Sequence, residues 1–252
     1  MGKHNNKKWI NNSEISDSWT EILASIDDGT YKEKYALGNY KPLNLGNEGT
    51  VDMQIVAFDS DDLANGSGKA PLTFISKQVL ANKSVLFETN TAEGWSDSPL
   101  RNYLNSTVKN TINSTLTNHL VTVKKYTTHG TPANSMITNV QTNDFVWVPS
   151  IHEVYDGNKS GWETNGVTYY DIFGLIAGPS AARTQYDQSG NPTEWITRTS
   201  YQNGTYSKNN LYITNAGNYG NGQYNHFPAT SIFNYSIGFC LGTSQQAASQ
   251  GE

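Results

Sequence analysis

The C-terminal part of the chain, from Trp195 to Glu252, constrains the fold more than any other segment. Asn, Tyr, Ser, Thr and Gly dominate it, and only brief aromatic or aliphatic stretches interrupt them. Clusters of Gly, Asn and Ser between short apolar stretches are typical of turns and loops that connect strands. This part of the sequence therefore favours short strands joined by long loops.

The same segment has the composition of a binding surface. Between Ile196 and Gly251 there is no Asp or Glu, and Arg198 and Lys208 are its only Lys or Arg residues. Tyr supplies large and stiff contact area, while Ser, Gly and Asn supply adaptable hydrogen bonds. Similar loops also occur in β-rich virion proteins that bind nothing, so a purely structural role stays open. Under the binding hypothesis, the candidate ligand contacts are Tyr201, Tyr206, Asn209, Asn210, Asn218, Tyr219, Tyr224, Asn225, His226 and Tyr235.

Composition limits the class of protein. The chain has 252 residues, of which 12% are aromatic, and the six Trp and fifteen Tyr provide enough buried area for a core. A net charge of -5 gives no electrostatic footprint for nucleic acid, so no nucleic-acid partner is expected. No apolar stretch is long enough for a membrane span, and the N-terminus lacks the apolar segment of a secretory signal. We expect a protein that is folded in a cytoplasm and does not insert into membranes.

Local patterns predict an α+β fold with short antiparallel strands and a few helices. A helix is expected from Trp19 to Ile26, with Ser18 and Glu21 forming a capping box and the end near Gly29. Further along the chain, the sequence predicts strands at 51–58, 72–75 and 121–127, and a strand that starts at Phe145 and ends at Pro149. It also predicts a helix from Pro99 with Ser98 as its N-cap, a helix within 108–120, and a helical turn at 150–155 capped by Ser150 and Glu153.

The organisation predicted from these patterns is a single domain with polar ends. Residues 1–16 read as a polar N-terminal arm, residues 17–245 as one α+β domain and residues 246–252 as a polar tail. The core is expected to contain Trp95, Trp147, Trp195 and the strand around Gly238–Phe239. The lone Cys240 excludes a disulfide within the chain and is interpreted as a small buried hydrophobe.

Motifs for metal and cofactor chemistry are weak. The acidic run from Asp59 to Gly66 has Leu63 and Ala64 where a calcium loop needs a ligand and a glycine, which favours a solvated acidic turn over an irregular cation site. The five His residues have no metal-motif spacing, so neither a metal nor a cofactor is expected.

Catalysis is not the favoured hypothesis either. Glu163 with Asp171, and Glu194 with Asp187, are carboxylate pairs that leave a glycan-active enzyme open as a minor alternative.

Several segments resemble a domain of unknown function found in bacterial surface proteins and phage tail proteins. The resemblance covers roughly residues 18–243. It is carried by Trp19–Leu23, Tyr31–Gly38, Ile55–Asp59, Gly66–Ala70, Gly94–Leu104, Trp147–Ser150 and Trp195–Thr199.

A second resemblance is to the C-type-lectin-like fold of formylglycine-generating enzymes and of phage receptor-binding proteins diversified by retroelements. Val148-Pro149-Ser150 leads into a segment with Glu153, as in that fold, and Gly238-Phe239-Cys240 resembles its closing strand, with Cys240 where the family has Arg. The resemblance implies variable residues before the last strand, where Asn, Tyr and Ser are enriched here. The paired catalytic cysteines and the calcium-dependent sugar signatures are absent from the sequence.

Together these features lead to two main hypotheses. The first is a phage or phage-derived receptor-binding protein on the virion tail or capsid, which would contact a host cell-surface protein or glycan and join other virion proteins through its N-terminal arm. The alternative is a purely structural virion component, a capsid decoration or tail assembly protein, for which a homo-oligomer of cyclic symmetry is expected.

Overall fold

The structure is a computed structural model of the chain. It describes residues 12–81, 94–116, 118–130, 136–154, 169–170, 172–175, 183–203, 206–213, 224–228 and 233–250.

The architecture is mixed α and β with antiparallel sheets, which confirms the predicted α+β class. The described helices are α1 (Trp19–Asp27), α2 (Tyr31–Lys34), α3 (Gly94–Asp97), α4 (Pro99–Tyr103), α5 (Lys109–Thr115), α6 (Ile151–Val154), α7 (Ile172–Leu175) and α8 (Ser244–Ala248). The described strands are β1 (Tyr40–Asn44), β2 (Thr50–Phe58), β3 (Leu72–Ser76), β4 (Leu120–Val121), β5 (Val123–Gly130), β6 (Met136–Asp144), β7 (Val146–Trp147), β8 (Gln185–Tyr186), β9 (Pro192–Thr193), β10 (Trp195–Asn203), β11 (Tyr206–Ile213), β12 (Tyr224–Pro228) and β13 (Gly238–Leu241).

The main sheet joins the two ends of the domain. Its strand order is β1-β2-β3-β13-β4, and β7 also pairs with β13. Strand β13, close to the C-terminus, thus lies in the middle of the sheet, and all four of its residues are buried. Gly238 is required there because a Cβ atom would stand 2.9 Å from the Trp147 ring. The predicted core placement of Trp147 and of the Gly238–Phe239 strand is confirmed.

Helix α1 begins and ends where the sequence predicts. Ser18 and Glu21 form the capping box, with each side chain bonded to the other's backbone N–H. The apolar face of α1, with Ile22 and Ile26, is buried against the main sheet. A short 3₁₀ turn at Gly46–Glu48 connects β1 to β2.

A longer helical segment crosses the domain from Pro99 to Thr115. Ser98 caps it and Pro99 occupies the first turn, as predicted. Between α4 and α5 the helix makes one π-helical turn at Leu104–Val108. Within this turn the Asn105 side chain accepts from the backbone N–H of Phe145 and donates to the carbonyl of Val146, so the turn is tied to β7.

Three smaller antiparallel sheets complete the described structure. Strands β5 and β6 form one hairpin and β8 and β9 another. The C-terminal sheet, as we name β10, β11 and β12, has the order β10-β11-β12.

The ends of the chain differ from the prediction where they are described. Ile15, assigned to a polar arm, is buried and donates its N–H to Tyr40, because it extends the edge of β1. The predicted polar tail begins inside α8, which has its own capping box at Thr243. Beyond α8, Gln250 bonds both backbone groups of Thr122, so the folded domain extends past residue 246.

Candidate functional site

Five polar side chains meet in the centre of the domain and form what we call the buried ionic cluster. None of their side chains is more than 6% exposed. They come from the loop after β2, from β5, from α6, from the segment before α7 and from β10. The members are Asp61, Lys125, Glu153, Tyr170 and Arg198.

Local structure brings each member into place. The loop after β2 pairs with the start of β5, through the N–H of Lys124 to Asp62 and the N–H of Ala64 to Thr122, and this pairing sets Asp61 beside Lys125. Ser150 and Glu153 cap α6 as predicted, and the cap fixes the Glu153 carboxylate.

Arg198 is the most constrained member of the cluster. Its guanidinium donates to both carboxylate oxygens of Glu153, over 2.6 and 3.0 Å. It also donates to the carbonyls of Val148 and Tyr126 and to the hydroxyl of Thr127. These five bonds match the five N–H donors of a guanidinium, so full burial leaves no donor without a partner. Arg198 therefore fixes β10 to β5 and to α6.

The N–H donors of the Lys125 ammonium also all have acceptors. Its Nζ lies 2.5 Å from Asp61 Oδ1, 3.0 Å from Glu153 Oε1 and 2.8 Å from the Tyr170 hydroxyl. Nζ also lies 3.7 Å from the centre of the Trp147 ring, a distance at which the π face attracts a cation. An ammonium has three N–H donors, and three oxygens surround this one.

The charges in the cluster balance and set the ionisation of its members. Burial raises the pKa of Glu153, but Arg198 and Lys125 outweigh burial and lower it to about 2. Burial lowers the pKa of Lys125, but the carboxylates of Asp61 and Glu153 outweigh burial and raise it. Two carboxylates thus face two cations in a region from which water is excluded.

Tyr170 and Cys240 border the same carboxylate and stay protonated. Burial, with the charge of Asp61 in second place, raises the pKa of Tyr170 and of Cys240 far above their ordinary values. Cys240 Sγ lies 3.3 Å from Thr73 Oγ1 and 3.5 Å from Asp61 Oδ2. The predicted burial of Cys240 is confirmed, although its neighbours are polar as well as apolar.

The prediction of a solvated acidic turn at 59–66 is wrong for Asp61. Asp61 is 6% exposed, whereas Asp62 is exposed and pairs with Lys69. The turn folds back over β5, so one of its carboxylates enters the core. Sequence reasoning missed the cluster, although one signal was available: Lys125 shares a strand face with Val123, whose side chain is apolar and buried.

The backbone brings together most of the predicted ligand contacts in the C-terminal sheet. Tyr201 pairs with Asn209, and Asn203 with Tyr206. Asn210 pairs with Ser200 on one side and with Phe227 on the other. Tyr224, Asn225 and His226 lie in β12, opposite Ile213, Tyr212 and Leu211 of β11. Asn218 and Tyr219 lie outside the described residues.

Tyr235 is a correction to the predicted contact list. Its side chain is 1% exposed and belongs to the core, so it is not presented to solvent. Its backbone explains the difference: Tyr235 bridges to Ile196, and its carbonyl accepts from Leu80. Burial, reinforced by the charge of Glu48, raises the pKa of its hydroxyl.

Other candidate sites have weaker support. Asp187 accepts from the backbone N–H groups of Ser189 and Asn191 in the turn between β8 and β9, which is the environment of a turn carboxylate. Glu163 and Asp171 lie outside the described residues. In the described part of the chain, no three His, Cys, Asp or Glu side chains are grouped so that they could hold a metal ion.

An open surface groove of about 530 Å³ lies where the described chain begins. Its lining is polar and contains none of the predicted ligand contacts; it consists of Ser13, Glu14, Ile15, Ser16, Asp17, Glu21, Lys34, Tyr35 and Asn39. Over the described residues, no helix has the length and apolar character needed to cross a membrane.

Comparison with known proteins gives one match. The model of a family described as "Domain of unknown function (DUF6273)" matches residues 72–232. The matched range includes four members of the buried ionic cluster, from Lys125 to Arg198, and the whole C-terminal sheet. No curated protein and no solved structure gives a significant match.

Proposed function

The chain belongs to the DUF6273 family, and we propose that it is a phage or phage-derived receptor-binding protein that presents the C-terminal sheet and its loops to a host cell-surface protein or glycan. One observation carries the proposal. The buried ionic cluster fixes β10 at Arg198, and three residues later the same strand enters the Tyr- and Asn-rich segment.

Rigid support beneath a binding surface increases binding affinity. Residues on well-supported strands lose little conformational freedom on binding, so more of the contact energy appears as affinity. Besides the bonds of Arg198, β10 is held by the N–H of Ile151, which donates to Thr199, and by Thr128, which donates to the carbonyl of Ser200. The support therefore continues up to the residue before Tyr201.

The composition of the C-terminal sheet supports recognition of a neutral surface. Its strands contain Tyr201, Tyr206, Tyr212 and Tyr224 and no Asp or Glu after Trp195. Aromatic side chains dominate the binding energy of many interfaces, and amides adapt to the polar groups around them. A protein or glycan surface fits this composition better than a phosphate backbone, which needs clustered cations.

We propose the C-type-lectin-like fold as the finer description of the α+β architecture. It is supported by the central position of β13, which closes the main sheet between β3 and β4. It is further supported by the Val148-Pro149-Ser150 segment, which leads into α6 with Glu153 at the capping position. On this proposal the protein acts on the surface of a virion, attached through its N-terminal residues.

Binding of the purified protein to a panel of bacterial cells and to their isolated surface glycans tests the function. The test variant carries Ala at nine predicted contacts, leaving out the buried Tyr235: Tyr201, Tyr206, Asn209, Asn210, Asn218, Tyr219, Tyr224, Asn225 and His226. The matched control carries Ala at Asn102, Asn110 and Asn113, which are exposed amides on the helical segment.

Saturable binding that the nine-residue variant loses and the control retains, at equal thermal stability, supports the proposal. Equal binding by both variants rejects the C-terminal sheet as the ligand site. If the protein binds no cell or glycan but forms a closed ring in solution and its removal breaks virion integrity, the structural alternative is correct.

A further inference from the structure

We propose that the side chains of Lys125 and Asp61 join in an intramolecular amide bond, formed within the folded domain without any added enzyme. Lys125 Nζ and Asp61 Oδ1 are 2.5 Å apart, and both side chains are buried, at 2% and 6% exposure. An amine and a carboxyl group held in contact away from water react as one molecule, and fixed geometry of this kind replaces a large part of the barrier.

The surrounding groups favour the carboxyl group of Asp61 over that of Glu153 for amide formation with Lys125. Glu153 already accepts two bonds from Arg198 and one from the N–H of Ser150, and its Oε1 is 3.0 Å from Nζ. Asp61 has no bond to a guanidinium, and its carboxylate receives hydroxyl groups instead. Thr73 donates to Oδ2 over 2.6 Å, and Tyr170 donates to Oδ1 over 3.0 Å. One hydroxyl can stabilise the oxyanion on Oδ2, and the other can protonate Oδ1 when that oxygen leaves as water.

Each group has a defined task in the reaction. The ion pair is the resting state, and the reaction starts when one proton moves from Nζ to Oδ1, giving a neutral amine and a neutral acid. Nζ then attacks Cγ of Asp61, and the oxyanion that forms on Oδ2 is stabilised by the Thr73 hydroxyl. The first proton transfer also removes the Lys125 charge, one of the two cations that lower the pKa of Glu153. Glu153 Oε1, 3.0 Å from Nζ, then accepts the next proton from the nitrogen, and Tyr170 passes its proton to the Oδ1 hydroxyl.

The reaction balances without a co-reactant. The N–Cγ bond forms, the Cγ–Oδ1 bond breaks, and Oδ1 leaves as water with one hydrogen that came directly from the ammonium and one from Tyr170. The ammonium proton taken up by Glu153 replaces the Tyr170 proton across the 3.4 Å contact between Tyr170 and Glu153. Glu153 and Tyr170 return to their starting protonation states. No oxidant, metal or nucleotide takes part.

The charge balance of the cluster is the same before and after the reaction. Condensation removes one positive and one negative charge together, and Glu153 remains paired with Arg198 through two bonds. No buried charge is left alone, which is the condition under which removing an ion pair from a protein interior is tolerated. The bond would join residues 64 positions apart, connecting the loop after β2 to β5.

The intact mass of the purified wild-type protein under denaturing conditions tests the proposal. After allowance for the N-terminal methionine, the measured mass is expected to be one water below the mass calculated from the sequence. Protease digestion is expected to yield a branched peptide that contains both Asp61 and Lys125 and is not cleaved after Lys125. Hydroxylamine treatment distinguishes it from a succinimide, which loses the same water but is opened by the reagent.

Two variants and a matched control identify the groups. Lys125→Arg keeps the cation but cannot form the amide, so its full calculated mass is expected. Glu153→Gln removes the proton acceptor and is expected to accumulate unreacted chain. Lys124→Arg changes the residue immediately before Lys125 in the same strand. This variant is expected to form the amide and to show the same mass, one water below its calculated value.

The full calculated mass in folded wild-type protein, or a branched peptide that joins Lys125 to any carboxyl group other than that of Asp61, overturns the proposal. Because this result is read on the wild-type chain, poor folding of a variant does not obscure it.

Discussion

Replacing Arg198 with Met should lower the free energy of unfolding by about 3–5 kcal/mol, because it leaves Glu153 buried with its main partner removed. The structure allows a second estimate. The pKa of Glu153 falls from its ordinary value of 4.5 to about 2, and this difference corresponds to about 3 kcal/mol of interaction with its surroundings. In chains where Lys125 has not formed the amide with Asp61, its ammonium, 3.0 Å from Oε1, retains part of that interaction. The Val148 carbonyl loses its donor in either state.

Urea denaturation at neutral pH measures this loss, with tryptophan fluorescence as the probe, since Trp95, Trp147 and Trp195 are all buried. The double variant Arg198→Met/Glu153→Gln should lose less than the sum of the two single variants, by about 1–3 kcal/mol, because the residues form one interacting unit.

Lys69→Met provides the control, because Lys69 pairs with Asp62 at the surface, where both side chains are about half exposed. It should cost about 1 kcal/mol or less. If Arg198→Met costs no more than this control, or if the two substitutions in the cluster are additive, the buried ionic cluster does not stabilise the domain as argued.

Three further predictions concern single groups. The depressed pKa of Glu153 contributes stability above pH 4.5 that is lost as the pH falls towards 2, so Glu153→Gln should flatten the dependence of the urea midpoint on pH over that interval. Gly238→Ala should cost about 1–3 kcal/mol in a thermal or urea melt, since the new Cβ would stand 2.9 Å from the rigid Trp147 ring. The buried Cys240 thiol, whose pKa is raised by burial, should react with a thiol reagent only at the rate of unfolding, and fast labelling in native buffer would contradict its placement.

Local signals predicted the elements of this fold well. The capping box of Ser18 and Glu21 fixes the start of α1, and Ser98 with Pro99 fixes the start of α4, because a cap depends only on residues within one turn. The core placement of the tryptophans followed from their size and apolar surface. None of these features requires knowledge of a distant segment.

The buried ionic cluster could not be predicted in the same way. Asp61 and Arg198 are separated by most of the domain in sequence, and nothing near either residue identifies its partner. Only Lys125 carried a usable signal, since a cation on the buried face of a strand needs an anion within reach. The prediction that Tyr235 contacts a ligand was wrong for a related reason. The composition of the segment around Tyr235 suits a surface loop, but the pairing of its backbone with Ile196 places its side chain in the core.

The π-helical turn between α4 and α5 affects where the chain can lose one residue without disturbing the core. The buried residues of this segment recur every fourth position, at Leu100, Leu104, Val108, Ile112 and Leu116. In a regular α-helix a step of four residues overshoots a full circle by about 40°, so five such positions would spiral away from the core by about 160°. The wider turn takes up one residue and cancels most of that drift. Omitting one residue at 106 or 107 should therefore give an ordinary α-helix in which nearly the same side chains face the core. We expect this turn of the described helices to tolerate a deletion.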